Sequence, residues 1–166
     1  MLRTAGFRVS KRRVFEANTL FDTSRGDLRR TGRLLRVREA GTRGVLTYKG
    51  PESEGKYKDR EEVEVEVSDP RRLAGILTQL GLVTGFRYEK YRAEYQRHGE
   101  GGVVTLDETP VGVYLELEGS PQWIDRTAHR LGFPESAYIT TSYYGLYADH
   151  CRDLGIQPTH MTFAAK

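Results

Sequence analysis

The stretch Arg60-Glu61-Glu62-Val63-Glu64-Val65-Glu66-Val67 constrains the fold more than any other. Its period is two: Arg60, Glu62, Glu64 and Glu66 share one parity, and Val63, Val65 and Val67 take the other. Side chains alternate faces along a strand, so one face is apolar and the other charged. Valines at spacing two would scatter around a helix, which excludes that reading. Three carboxylates in a row repel one another, and solvent-facing strands usually mix signs. Something cationic must offset them: water and salt, a facing row of Arg and Lys, or a metal.

The 166 residues bound the chain to one domain with a core of its own, here expected over residues 1–153 with a flexible tail over 154–166. Cys151 is the single cysteine, so no internal disulfide forms and a reducing cytoplasm fits. No apolar run is long enough to span a bilayer, and the start does not read as a signal peptide. A net charge of +3 from 26 basic and 23 acidic residues is nearly balanced and does not by itself imply nucleic acid. Neither a nucleic acid nor a membrane is therefore expected as a partner. The placement of the two signs carries the information.

Other stretches repeat the strand pattern. Residues 12–21, 33–39, 45–49, 85–96, 103–107 and 113–118 read as strands, and Gly41 and Gly44 flank a hairpin turn. Residues 50–58 read as a polar, mobile loop. Asp69-Pro70 and Ser120-Pro121 open helices that stop at Gly81 and Gly132, and a last helix covers 142–152. Trp123 and the Tyr143-Tyr144 pair read as core. His98, His129, His150 and His160 show no metal-ligand spacing and read as solvated, and Cys151 as an inert helix residue.

Two segments echo each other. Glu64-Val65-Glu66 and Glu116-Leu117-Glu118 each precede a capped helix that ends in Leu-Gly-apolar, with Glu66 15 residues before Gly81 and Glu118 14 before Gly132. Ala5-Gly6-Phe7 matches the end of that unit, so Met1–Phe7 reads as a last helical turn whose strand is absent. The expectation is a sheet with one open seam, whose exposed edges invite pairing into a homodimer.

One parity from each strand collects Arg36, Arg38, Lys49, Arg60, Lys90 and Arg92 with Glu62, Glu64, Asp107, Glu116 and Glu118. The other parity collects Leu35, Val37, Leu46, Tyr48, Val63, Val65, Leu106, Leu115 and Leu117, which need cover by helices. Two readings fit. The bland one is a solvated, salt-bridged face with no function. The sharper one is a site for a metal-bound polyanion: carboxylates are hard oxygen ligands suited to Mg2+ or Mn2+, and Arg forks with Lys point charges suit phosphate oxygens.

Seven short motifs occur in one order: Thr19-Leu20-Phe21-Asp22-Thr23, Leu34-Leu35-Arg36-Val37-Arg38, Leu46-Thr47-Tyr48-Lys49-Gly50, Arg60-Glu61-Glu62-Val63-Glu64, Glu89-Lys90-Tyr91-Arg92, Leu106-Asp107-Glu108 and Leu115-Glu116-Leu117-Glu118-Gly119. In these the chain resembles the CYTH superfamily, the triphosphate tunnel metalloenzymes, over about residues 1–147. The resemblance implies an α+β fold: an antiparallel β-barrel of about eight strands, one of them missing here, with helices packed outside. It implies a triphosphate-containing small molecule bound by Arg36, Arg38, Lys49, Arg60, Lys90 and Arg92, with Lys49 and Arg60 as catalytic cations. It implies Mg2+ or Mn2+ on Glu62, Glu64, Asp107, Glu116 and Glu118. The family's N-terminal Glu-x-Glu-x-Lys strand has no counterpart in the sequence. Three functions remain open at this point: a triphosphate hydrolase, which is favoured because water needs no second positioned group; a class IV adenylyl cyclase; and a non-catalytic triphosphate-binding module.

Overall fold

The alternating stretches pair into one antiparallel sheet in the computed structural model, which describes residues 1–53, 57 and 59–164. The strands are β1 (Arg8–Thr23), β2 (Leu34–Ala40), β3 (Arg43–Lys49), β4 (Glu62–Val67), β5 (Leu82–Gln96), β6 (Gly102–Thr109) and β7 (Gly112–Gly119). The helices are α1 (Asp27–Arg30), α2 (Pro70–Gln79), α3 (Pro121–Arg130) and α4 (Tyr143–Asp153). The order across the sheet is β4-β3-β2-β1-β5-β6-β7, so the two Glu-x-Glu strands, β4 and β7, are its edges. The sheet therefore has seven strands and is not closed by backbone pairing among the described residues. It curves until both edges line one cavity, to which Glu62 and Glu64 of β4 and Glu116 and Glu118 of β7 all contribute. Register shifts where β1 pairs with β5, between Val9 and Lys11, Lys11 and Val14, and Thr19 and Phe21, mark the bulges that help bend these long strands.

The apolar parity faces outward and is covered in two places. Phe21, Val37 and Leu77 form one buried cluster, where α2 lies over β2, β3 and the start of β5. Leu2, Phe7, Val104, Trp123 and Leu131 form the other, where α3 and the N-terminal turn cover β6 and β7. Both helices start as their sequences dictate. The Asp69 carboxylate accepts from the Arg72 N–H at 2.9 Å, and Ser120 Oγ accepts from the Trp123 N–H at 3.4 Å, each with Pro in the first turn. Gly6, Gly81 and Gly132 all sit at φ between 84° and 88°, so the echo noted in the sequence is a shared helix-stop geometry. Trp123 packs so closely on Gly102 that a Cβ there would lie 2.4 Å from the indole.

Three expectations need correction. First, not every helix packs outside. The α4 rings of Tyr143 and Tyr147 stack on Tyr88 and Phe86, and Tyr144 meets Phe86 edge-on, with Tyr88 and Phe86 pointing to the inner face of β5. Second, the tail is docked. β6 pairs with β5 only over Tyr91–Tyr95, leaving the edge at Arg87–Glu89 open. Met161 fills that edge, donating its N–H to the Arg87 carbonyl and accepting from the Glu89 N–H, and is fully buried. Third, His160 is not merely solvated, because its Nδ1 accepts the Arg87 N–H at 3.2 Å. The loop expected over residues 50–58 lies in part outside the described residues. No described helix is long and apolar enough to cross a membrane.

Candidate functional site

The inner face of the sheet is a charged chamber within a cavity of about 1790 Å³. The central strands supply its floor. Glu16 and Asn18 on β1 lie between Arg36 and Arg38 on β2 and Lys90 and Arg92 on β5, because Asn18 is paired with Arg38 and Glu16 with Lys90 in register. All of these except Arg38 are at least nine-tenths buried. Buried charges persist only when paired, and each pairing here can be traced.

Arg36 donates to the Tyr88 hydroxyl at 3.2 Å and to Thr47 Oγ1 at 3.1 Å, and reaches Glu64 at 3.4 Å. Arg38 donates to Asn18 Oδ1 at 3.3 Å and lies 3.6 Å from Glu16. Lys49 pairs with Glu62 across the β3–β4 ladder at 2.8 Å. Arg60 precedes β4 rather than lying within it. It pairs with Glu52 at 3.3 Å and lines the cavity.

The densest contacts surround Asp107 on β6. Its carboxylate accepts from Lys90 at 2.9 Å, from two Arg92 nitrogens at 2.7 and 2.5 Å, and from the Tyr143 hydroxyl at 2.6 Å. Burial pushes this carboxyl up. The Arg92 guanidinium outweighs that, aided by Lys90 and the Tyr143 hydroxyl, and holds it down at about 2. Arg92 also contacts Glu116 on β7. Glu116 is likewise pushed up by burial but held below the usual carboxylate range by Lys90 and Arg92.

The structure thus places the expected site residues of the strands on one inner face, with Arg60 lining the same cavity from the segment before β4, but it sorts them. Asp107 is fully buried beneath the cations. Its two oxygens are taken by four donor contacts, so as it stands it is their counter-ion. Glu116, Glu118 and Glu62 stand toward the seam. Burial pushes the Glu118 carboxyl up, and repulsion from Glu116 and Glu62 pushes it further. Among the described residues no ion pair at hydrogen-bond distance reaches Glu118. Such like-charged oxygen donors are the chemistry that holds a hard divalent cation, so the donor set fits Mg2+ or Mn2+. As placed, no three His, Cys, Asp or Glu side chains among the described residues close around one point.

Sequence reasoning missed Glu16, Asn18, Thr47, Thr105 and Tyr143. Among the described residues, buried polar atoms without a hydrogen-bond partner lie in or beside this group: Arg36 Nε, Asn18 Nδ2, Thr105 Oγ1 and Glu16 Oε2. Such atoms are costly in a dry core. Arg36 and Thr105 both line the cavity, where water or an anion can satisfy them. The alternation of β1 from Glu16 to Leu20 could have revealed Glu16 and Asn18. Tyr143, next to a second tyrosine on a helix, left no such signal.

The model of the CYTH domain family matches residues 4–142. A candidate adenylate cyclase of Methanocaldococcus jannaschii is 32% identical over 120 residues, covering 72% of this chain and 67% of that protein. Among solved structures, a candidate adenylate cyclase from Vibrio parahaemolyticus superposes with a TM-score of 0.74 at 18% identity, covering 87% of this chain and 86% of that one. A protein from Pyrococcus horikoshii gives 0.74 at 21%, covering 87% and 88%. A candidate adenylyl cyclase from Hippeastrum, described as revealing a dominant triphosphatase activity, gives 0.64 at 21%, covering 84% and 83%.

Proposed function

The chain belongs to the CYTH domain family, and on that premise we propose that it is a metal-dependent hydrolase of a triphosphate-containing small molecule. One observation carries this reading. Two pairs of cations, Arg36 with Arg38 and Lys90 with Arg92, line one chamber in a row that Glu16 and Asn18 interrupt, with carboxylates at its seam. A row of cations matches an extended chain of phosphates better than a single one.

In this reading Arg36, Arg38, Lys90 and Arg92 grip the phosphate oxygens, and Lys49 and Arg60 near the mouth stabilise charge on the leaving phosphate. The ion pairs that now satisfy these groups keep the cations ordered before substrate arrives, so little reorganisation is needed during reaction. Glu62, Glu64, Glu116 and Glu118 would hold Mg2+ or Mn2+, with Asp107 behind them. When bound, the metal would offset phosphate charge and make the attacking water more acidic. Water attacks the terminal phosphorus, the bridging P–O bond breaks, and inorganic phosphate and a diphosphate product leave. Cys151, buried and unpaired, suits a reducing cytoplasm.

The second reading is an adenylyl cyclase, in which a ribose hydroxyl replaces the water. The similarity to the Methanocaldococcus jannaschii protein favours it. Phosphate release from tripolyphosphate, ATP and thiamine triphosphate, measured with a cyclic AMP assay on the same samples, separates the two. Phosphate from tripolyphosphate without cyclic AMP from ATP supports hydrolysis. Cyclic AMP and diphosphate from ATP would overturn it in favour of the cyclase.

A further inference from the structure

We propose that Tyr143 is a positioning residue of the chamber: its hydroxyl sets the placement of the Asp107 and Glu116 carboxylates relative to Lys90 and Arg92. This rests on the triphosphate reading above and assigns a residue to that site. The hydroxyl donates to Asp107 Oδ2 at 2.6 Å, and the Glu116 carboxylate is close enough to push the phenol pKa up. A phenol has one proton to give, and here it goes to Asp107, whose charge repels that of the neighbouring Glu116. The ring lies over Lys90, with Nζ 5.1 Å from its centroid.

The ring is held from both sides. It stacks on Tyr88 at 5.7 Å and meets Tyr114 edge-on at 6.0 Å. The Tyr88 hydroxyl in turn accepts from Arg36. Two stacked tyrosines therefore link the Arg36 end of the cation row to the Asp107 end, across strands that are not neighbours in the sheet. The Ser142 cap, whose Oγ accepts the Gly145 N–H at 3.2 Å, starts α4 one residue earlier and fixes where Tyr143 enters. Tyr144, the adjacent residue, instead packs its half-exposed ring against Phe86 and makes no side-chain hydrogen bond among the described residues.

Without the hydroxyl, Arg92 alone would bridge the two carboxylates. Both would lean further onto Arg92 and Lys90 and neutralise the cations that face the anion. The test compares the wild-type chain with Tyr143→Phe and Tyr144→Phe. Tripolyphosphate binding is measured by calorimetry in EDTA, Mn2+ binding by electron paramagnetic resonance, and folding by circular dichroism melts. Tyr143→Phe keeps the ring contacts, so it should melt within a few degrees of wild type. It should bind tripolyphosphate about ten- to a hundredfold more weakly, the range of one hydrogen bond to a charged group. Its Mn2+ affinity should fall as well, while Tyr144→Phe should match wild type in all three. In a Glu116→Gln background, where no charge on residue 116 needs placing, adding Tyr143→Phe should cost markedly less. Binding of Tyr143→Phe within twofold of wild type overturns the inference while leaving the triphosphate reading intact. So does an equal loss in Tyr144→Phe, or a Tyr143→Phe chain that does not fold, which would make Tyr143 a core residue. If the wild-type chain binds neither tripolyphosphate nor Mn2+, the parent reading fails and this inference with it.

Discussion

Removing the carboxylate of Asp107 should destabilise the protein more than removing any other single charge. The side chain is fully buried and bonds to Lys90, Arg92 and Tyr143. Lys90 is almost wholly shielded, with its side chain 2% exposed, and Arg92 is at 10%. Breaking a buried pair by deleting one partner costs about 3–5 kcal/mol, because the other charge stays buried without compensation. For a domain of this size each kcal/mol moves the melting temperature by about 2–4 °C, so Asp107→Ala should melt roughly 6–20 °C lower. That is a large share of the roughly 5–15 kcal/mol that holds a typical domain together. The cations left behind should make the variant unusually responsive to anions. Tripolyphosphate at about a hundred times its Kd adds about 2.7 kcal/mol to any protein that binds it only when folded. Asp107→Ala should gain more than wild type at the same concentration. Asp107→Asn, which keeps the volume and acceptor oxygen, should lie between the two. Urea unfolding and thermal melts with and without tripolyphosphate make the comparison. A stability loss below about 1 kcal/mol would show that the Asp107 cluster is not the buried, interlocked unit described above.

Arg36→Ala and Arg38→Ala should each weaken tripolyphosphate binding at least about tenfold, the range of a charge-assisted contact, and monophosphate binding far less; calorimetry with both anions checks this, and equal losses would indicate damaged folding instead. The Asp22 carboxyl is pushed up by burial, but the backbone N–H groups of Leu28, Arg29 and Thr23 outweigh that and hold it below its ordinary value. A depressed carboxylate contributes stability that is present above its unfolded pKa, about 3.9, and is lost as pH falls through the folded value. Asp22→Asn should therefore be about 1 kcal/mol less stable than wild type near pH 6, with the gap closing below about pH 3 in urea titrations. Gly102→Ala should cost about 1–3 kcal/mol by overpacking, since its Cβ would fall 2.4 Å from Trp123, and a melt would show it.

The charged face was legible because strand alternation is strict where it matters. Arg36 and Arg38, Lys90 and Arg92, and Glu116 and Glu118 each sit two apart, and each pair lands on the inner face. Helix stops at Gly81 and Gly132 were equally readable, because a left-handed cap requires that residue type. β1 was harder. Arg8–Arg13 shows no apolar alternation, and its place in a strand comes from pairing with β5 across two register shifts. Tyr143 was misassigned because spacing within a helix does not say which tyrosine faces a neighbouring sheet. Docking of Met161 depends on an edge that only the short reach of β6 leaves open, a non-local fact invisible in the tail's own residues.

Calorimetric titration of tripolyphosphate into the wild-type chain, with and without Mg2+, tests the proposed role of the chamber most directly. The expected result is one tripolyphosphate per chain, bound more tightly with Mg2+ because Glu62, Glu116 and Glu118 otherwise repel an anion, and bound far more tightly than inorganic phosphate. A Glu116→Gln, Glu118→Gln double variant should lose the Mg2+ effect. No binding of tripolyphosphate, or binding that is no tighter than that of phosphate and indifferent to Mg2+, would contradict the assignment of this face as a triphosphate site.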